Sequence, residues 1–331
     1  MNGSDRVTLR HGTGLRRLLV KDGAATIVSV RSLRGGTYRF SALAIPPELV
    51  SGPGSEALRE ADEQTLGSAL ADFRYALGID EDMAPFHDAF ADDPLLGPAI
   101  SARIESRSQR RADPWEALVW AITEQLIEYR RAAAIQRRMI RKWGLSVEPF
   151  AADAGGLAGR LAGTVGPGRP TRGRGAAGDR LSTVPAAEVI AGAAPAELQA
   201  CDLSARRAIA MVRVAREISL GRVDLRKPED DRRLLAIPEI GPWTLACLAL
   251  RGRGDHDALL AGDLGHVKLV GALEGLGRPA EIEEVERFYK PYAPYRGLAA
   301  DFMLAHHGAA VRGPGNRARI RAAGRPPRRA A

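Results

Sequence analysis

The chain has 331 residues, about two domains at roughly 150 residues each, and its 45% hydrophobic and 27% charged composition is that of an ordinary folded protein. No apolar run approaches the ~18–20 residues of a membrane span, residues 1–6 lead into no apolar signal core, and the two cysteines, Cys201 and Cys247, exclude a disulfide framework, a four-cysteine zinc site and a four-cysteine iron–sulfur cluster; a reduced cytosol is the expected setting. Lys and Arg total 48 against 40 acids, a net charge of +8 carried mostly by arginine, which points toward polyanions, although a GC-rich gene would leave the same excess.

The first 45 or so residues read as strands. Segments 25–30 and 37–42 are rich in β-formers and flank a turn at Arg34-Gly35-Gly36. Residues 62–77 read as a helix with Leu66, Leu70, Phe73 and Leu77 on one face. Together these predict a small α+β domain over residues 1–90, followed by an all-helical domain over 91–311.

Within the second domain, Asp113-Pro114-Trp115-Glu116 supplies a helix N-cap, a first-turn proline and a capping-box glutamate. Trp115, Leu118, Val119, Ile122 and Leu126 then follow on one apolar face. Residues 151–180, rich in Gly, Ala and Arg, are expected to form a mobile loop. A further helix is predicted over 204–220, with Met211, Val214, Ala215 and Ile218 inward and Gly221 as its stop. Residues 312–331 hold seven arginines and no acid, and read as a disordered basic tail.

The most informative segment runs from Leu234 to Ala246, with Ile237-Pro238-Glu239-Ile240-Gly241-Pro242-Trp243-Thr244 at its centre. An apolar helix end, a tight turn, a glycine N-cap and a proline at the first helical position describe two helices joined by a short hairpin. The free backbone N–H groups of the second helix suit a phosphate whatever the base sequence; a plain helical corner has the same spacing.

This segment resembles the hairpin of the helix–hairpin–helix (HhH-GPD) DNA glycosylase superfamily. The resemblance extends to Asp263, 22 residues beyond Gly241, in a run similar to the family's catalytic-aspartate loop. It extends also to Gln125-Leu126, similar to its Gln-Leu DNA wedge, and to Pro294-Tyr295-Arg296-Gly297, similar to its aromatic–arginine segment. With the strand-rich N-terminus, the order resembles the AlkA type, DNA-3-methyladenine glycosylase II. Two departures stand in the hairpin. Glu239 replaces the first glycine, which its backbone tolerates only if φ need not be positive, and Leu245 replaces an alanine.

The resemblance implies an α+β N-terminal domain followed by an all-α HhH-GPD domain that excises alkylated bases, of the 3-methyladenine and 7-methylguanine type, from damaged double-stranded DNA. Asp263 would be the catalytic carboxylate, stabilising an oxocarbenium-like sugar; an N-cap for the helix at Leu264 is its structural alternative. Trp243, Tyr295 and Cys247 would line the base pocket, where an aromatic face attracts a cationic base. Leu126 with Gln125 would fill the vacated stack, or Leu126 would be an ordinary core leucine. Ile237, Pro238, Ile240, Gly241 and Thr244 would form the phosphate-binding hairpin, whose backbone carbonyls in this family hold a monovalent Na+ or K+. The residue two beyond Gly241 is a Schiff-base lysine in the family's glycosylase/lyases. Here it is Trp243, so a monofunctional enzyme leaving an abasic site is expected.

His266 reads as a helix-surface or backbone-contacting residue, and the adjacent His306-His307 as no zinc site. A monomer acting in the bacterial cytoplasm without cofactor or membrane completes the expectation. Two other functions fit the same residues: a noncatalytic DNA-binding protein that retains the hairpin, and a glycosylase for uracil or hypoxanthine.

Overall fold

The structure, a computed structural model, describes residues 7–11, 14–33, 37–104, 106–108, 110–147 and 180–311, with side chains described to residue 308. The Arg34–Gly36 turn, all but the last residue of the 151–180 loop and the 312–331 tail lie outside the described residues. In chain order come β1 (Thr8–His11), β2 (Gly14–Lys21), β3 (Ala24–Ser32), β4 (Tyr38–Ala44) and β5 (Val50–Ser51). Helices α1 (Glu63–Leu77), α2 (Ala84–Phe90), α3 (Leu96–Ser101), α4 (Pro114–Glu124) and α5 (Tyr129–Trp143) follow, then β6 (Ser146–Val147) and β7 (Leu181–Ser182). The rest is helical: α6 (Ala187–Gly192), α7 (Pro195–Gln199), α8 (Ala205–Ser219), α9 (Asp231–Leu235), α10 (Pro242–Cys247), α11 (Leu264–Leu273), α12 (Ile282–Tyr289) and α13 (Arg296–Val311).

By backbone contacts the chain forms two units, each discontinuous in sequence. The first comprises residues 1–74 and 119–239, the second 75–118 and 240–331. A division at residue 90 follows chain order. The contacts instead join the N-terminal sheet to segments far downstream, for a reason visible in the core.

In the first unit β1–β4 form an antiparallel meander. Strands β2 and β3 are joined by Asp22-Gly23, both at positive φ (49° and 74°), the two-residue turn that matches the twist of paired strands. The buried face of this sheet, including Leu18, Ala25 and Ile27, packs with Leu145, Val147 and Leu181. Those three residues lie on or beside β6 and β7, which pair with β5 in a second, three-stranded sheet. The all-helical expectation for 91–311 is corrected at this point: β6 and β7 lie within it because the N-terminal sheet leaves an apolar face that they complete.

The predicted helices form where their caps are. Asp113 Oδ1 accepts the Trp115 N–H at 2.8 Å at the start of α4. Helix α8 buries Met211, Val214 and Ala215, and Gly221, at φ 65°, follows its end. The second unit has its own core, in which Phe86, Leu96, Leu269, Val270, Tyr289 and Met303 pack from α2, α3, α11, α12 and α13.

Candidate active site

In the second unit the hairpin delivers α10. Gly241 is its N-cap in extended backbone and Pro242 opens it; Thr244 and Cys247 are buried, and the Leu245 N–H reaches the Gly241 carbonyl at 3.1 Å. Trp243, on the first turn, is half-buried, and its indole Nε1 is buried with no hydrogen-bond partner. Cys247 follows one turn later on the same side of the helix.

The loop that carries Asp263 reaches this indole. A Cβ placed on Gly262 would stand 3.9 Å from Trp243 Cδ1 and 3.6 Å from Ile282 Cδ1. Trp243 and the aspartate's loop are therefore brought together, at a separation that a side chain at 262 would also fit. Asp263 caps α11: its Oδ1 accepts the Gly265 N–H at 2.7 Å and its backbone carbonyl accepts the Val267 N–H at 2.9 Å. Its Oδ2 makes no hydrogen bond among the described residues. The cap thus occupies one carboxylate oxygen and leaves the other open to a second role.

His266 lies one turn on and overturns the surface expectation: it is buried, 2% exposed, with its ring edge-on to Tyr289 at 6.2 Å and Nδ1 without a partner. Burial pushes its pKa down, opposed by the charges of Asp263 and Asp301. The cause is helical phase: three residues beyond the cap, the side chain turns into the core that Leu269 and Val270 continue. Tyr295 is half-buried; its ring partners are Phe86 at 5.5 Å, Phe90 at 6.3 Å and His256 at 6.3 Å, so it is a member of the aromatic cluster that borders the core.

The first unit holds the wedge and the entry to the hairpin. Helix α4 ends at Glu124, two residues short of the predicted face, and Leu126 sits at φ 54° with 93% of its surface exposed. That excludes the core reading of this leucine. An L-residue in left-handed backbone costs about 1–2 kcal/mol, and such strain persists where the surroundings impose it. Part of the imposing contact is Gln125, whose Nε2 donates to the Glu239 carbonyl at 2.7 Å, tying the corner to the hairpin entry.

Glu239 takes φ 73°, the conformation that a glycine would hold without strain. The condition under which a side chain would be tolerated there is not met, and the residue is held in spite of it. Its carboxylate faces α8: Arg206 Nη1 lies 3.9 Å from Glu239 Oε1, and the neighbouring Arg207 donates from Nη1 to the Thr123 carbonyl at 3.0 Å. Burial lowers the Arg207 pKa while Glu239 raises it. Ile237 is buried and Pro238 exposed. Arg206 and Arg207 escape sequence reading because nothing local ties Ser204-Ala-Arg-Arg to a turn more than thirty residues later. Among the described residues no cluster of His, Cys, Asp and Glu is built to hold a metal. A cation at the hairpin would therefore depend on its backbone carbonyls, of which that of Glu239 is already engaged.

A second, half-buried cluster was equally illegible. Glu81 pairs with both His256 and Arg110, and Arg110 lies 4.8 Å over the Tyr75 ring. Burial would raise the Glu81 pKa, but the His256 hydrogen bond and the charges of His256 and Arg110 outweigh it and hold the carboxyl below its usual range. The His256 carbonyl accepts the Leu298 N–H at 3.0 Å, so this cluster fixes the start of the segment that ends in Asp263.

No family model matches the chain. Among curated proteins it is 28% identical over 245 residues to the "Probable bifunctional transcriptional activator/DNA repair enzyme AlkA" of Mycobacterium tuberculosis, covering 73% of this chain and 43% of that protein. The chain thus spans about two fifths of the length of that relative. Among solved structures, the 3-methyladenine DNA-glycosylase from Archaeoglobus fulgidus superposes with a TM-score of 0.70 at 18% identity, covering 93% of this chain and 91% of the other. The Clostridium acetobutylicum 8-oxoguanine glycosylase/lyase, in complex with DNA, superposes with a TM-score of 0.60 at 12% identity, covering 91% and 97%. The similarity to AlkA-type glycosylases read from the sequence is borne out, and the fold, a small antiparallel sheet followed by mostly helical chain, is shared with DNA glycosylases.

Proposed function

We propose that this AlkA-like chain is a monofunctional DNA glycosylase that hydrolyses the N-glycosidic bond of alkylated bases in duplex DNA and leaves an abasic site. The observation that carries the proposal is Asp263: one oxygen tied to its helix cap, the other without a hydrogen-bond partner among the described residues, on a loop that passes beside Trp243. As the base departs, positive charge grows on the sugar, and a fixed carboxylate stabilises that charge more than it stabilises the neutral substrate.

A base methylated at a ring nitrogen is cationic and already activated as a leaving group. The Trp243 face attracts it with about 0.5–2 kcal/mol, which disfavours uracil and hypoxanthine by comparison. Leu126, exposed at the corner after α4, fills the gap left by the flipped base, whose extrusion costs a few kcal/mol. The Gly241 end of α10 and the Ile237–Thr244 backbone hold a phosphate, with a monovalent cation supported by hairpin carbonyls other than that of Glu239. Tyr295 and Cys247 complete the base-binding side. The reaction needs no other cofactor, a single copy of the chain suffices, and the setting is the bacterial cytoplasm; among the described residues no helix is long and apolar enough to cross a membrane.

The absence of strand cleavage rests on Trp243. A lyase needs an amine to attack the sugar, and the indole that occupies the hairpin position offers none. Lys268, five residues beyond Asp263, is exposed on α11. Release of 3-methyladenine and 7-methylguanine from methylated duplex, compared with uracil and hypoxanthine from their own duplexes, tests the substrate class. Borohydride trapping tests the lyase. The reading expects methylated bases to be released, no trapped adduct, and strands unbroken until alkali is added. Release of uracil alone, or a trapped complex, would overturn the corresponding part.

A further inference from the structure

The second unit contains a cavity of about 250 Å³ that the glycosylase reading does not use; neither Asp263, Trp243, Cys247 nor Tyr295 lines it. Its walls are Arg103, Ser106, Arg107 and Ser108, Arg251 from the π-helical turn Leu248–Arg253, and one face of α13. It backs onto the aspartate's helix without opening to it: Leu304, on its wall, lies 3.0 Å from where a Gly265 Cβ would stand.

Three arginines and one aspartate are among the residues that line this space. Arg251 is neutralised by Asp301, which it grips through both carboxylate oxygens, one of them at 2.7 Å. Arg103 and Arg107 are held differently. Arg103 donates to the Ala305 carbonyl at 2.9 Å and Arg107 to the Ser106 carbonyl at 3.1 Å, and neither has a carboxylate partner among the described residues. Beside them Ser108, 3% exposed, lines the cavity with its Oγ buried and without a hydrogen-bond partner. Buried hydroxyls are seldom left so, because the missing bond is costly. A hydroxyl donor and two arginines without a carboxylate partner among the described residues, lining one space, are complementary to an anion rich in acceptor oxygens. Leu298 and Phe302, both buried, give the lining its apolar part. The volume falls just below the ~300–1,000 Å³ of pockets for drug-sized ligands, too roomy for a bare oxyanion and suited to one with a small body.

We propose that this cavity is a binding site for a phosphate that carries a compact apolar body, the phosphate held by Arg103, Arg107 and Ser108 and the body seated on Leu298 and Phe302. The proposal is independent of the glycosylase reading. The shared chemistry has two sources, a free organic phosphate or a nucleotide unit of a DNA strand.

The test is calorimetric titration of the full chain with phenyl phosphate and, separately, with inorganic phosphate. One saturable site for phenyl phosphate is expected, with inorganic phosphate about tenfold weaker for want of the apolar surface. Arg103→Gln, Arg107→Gln and Ser108→Ala should each weaken phenyl phosphate by about tenfold, the effect of deleting one charge-assisted hydrogen bond. Arg226→Gln, an exposed arginine of the other unit, and Asp263→Asn should leave it unchanged. Competition by a short undamaged duplex assigns the source: displacement of phenyl phosphate identifies the DNA strand, and undiminished binding identifies a free ligand. Absence of saturable phenyl phosphate binding, equal affinity for inorganic phosphate, or wild-type affinity in all three variants would overturn the proposal. Circular dichroism of each variant separates loss of the site from loss of the fold, and Arg103, whose side chain is at the surface, provides the variant least able to disturb it.

Discussion

Asp263 caps α11 through one oxygen, and the proposal gives its charge a second duty; the substitution that separates the two is Asp263→Asn. The amide oxygen of asparagine still accepts the Gly265 N–H, so the cap on α11 survives. The charge that stabilises the sugar cation does not. Excision is expected to fall by at least ~100-fold, on the scale of removing one electrostatic interaction with a transition state, while binding to damaged duplex is unchanged or tighter. Single-turnover base release and a binding titration on the same variant read both. At Leu126 the expectation is the reverse separation of stability from function. A side chain 93% exposed contributes within about 0.5 kcal/mol to folding, so Leu126→Ala should leave the denaturation midpoint in place. Excision of a paired lesion should drop by about tenfold or more, because the flipped state loses its plug. Glu239→Gly removes a strained φ of 73° and a carboxylate from the hairpin together. It should stabilise the protein by about 1 kcal/mol in urea unfolding and tighten binding to undamaged duplex.

At the scale of elements, the half-buried Glu81–Arg110–His256 cluster sets how the segment leading to Asp263 responds to acid. The Glu81 carboxyl is held below its ordinary value of 4.5, so the folded state binds fewer protons there than the unfolded chain does. Its stabilising contribution is therefore present in full above about pH 4.5 and lost as pH falls through the lower folded value. Glu81→Gln should be less stable than wild type at pH 7, with the difference shrinking below pH 4.5; a difference constant from pH 7 to 3 would contradict the ion-pair account. Elements with local causes were legible in the sequence: Asp113 at the head of α4, Ser204 at the head of α8, and the glycine–proline step that opens α10. What could not be read depends on backbone sign or on distance along the chain. The apolar period that includes Leu126 continues past Glu124 on paper, whereas the chain turns there through a left-handed residue. Arg110 is 29 residues from Glu81 and 146 from His256, and no local pattern joins them. His266 misled for a third reason. A polar residue after a cap looks like surface, yet its place on the helix turns it inward.

For the molecule as a whole, the proposed function makes the net charge of +8 the term that governs encounter with DNA. Nonspecific affinity should fall with salt, and the slope of log K against log[salt] rises by about 0.9 for every phosphate that the protein neutralises. Removal of residues 312–331, which carry seven arginines and no acid, should flatten that slope by about 0.9 for each phosphate no longer neutralised; an unchanged slope would show that the segment takes no part in binding. Such steering only brings the two units to a duplex, whereas the central claim concerns what Asp263 does once a base is extruded. The most direct measurement is single-turnover release of 3-methyladenine from a methylated duplex by wild type and by Asp263→Asn, at enzyme concentrations that saturate the DNA. The account predicts release by the wild type, and release by the variant reduced by at least ~100-fold with the duplex still fully bound. Release by the variant within about threefold of wild type, or no release by either protein from a bound duplex, would contradict it.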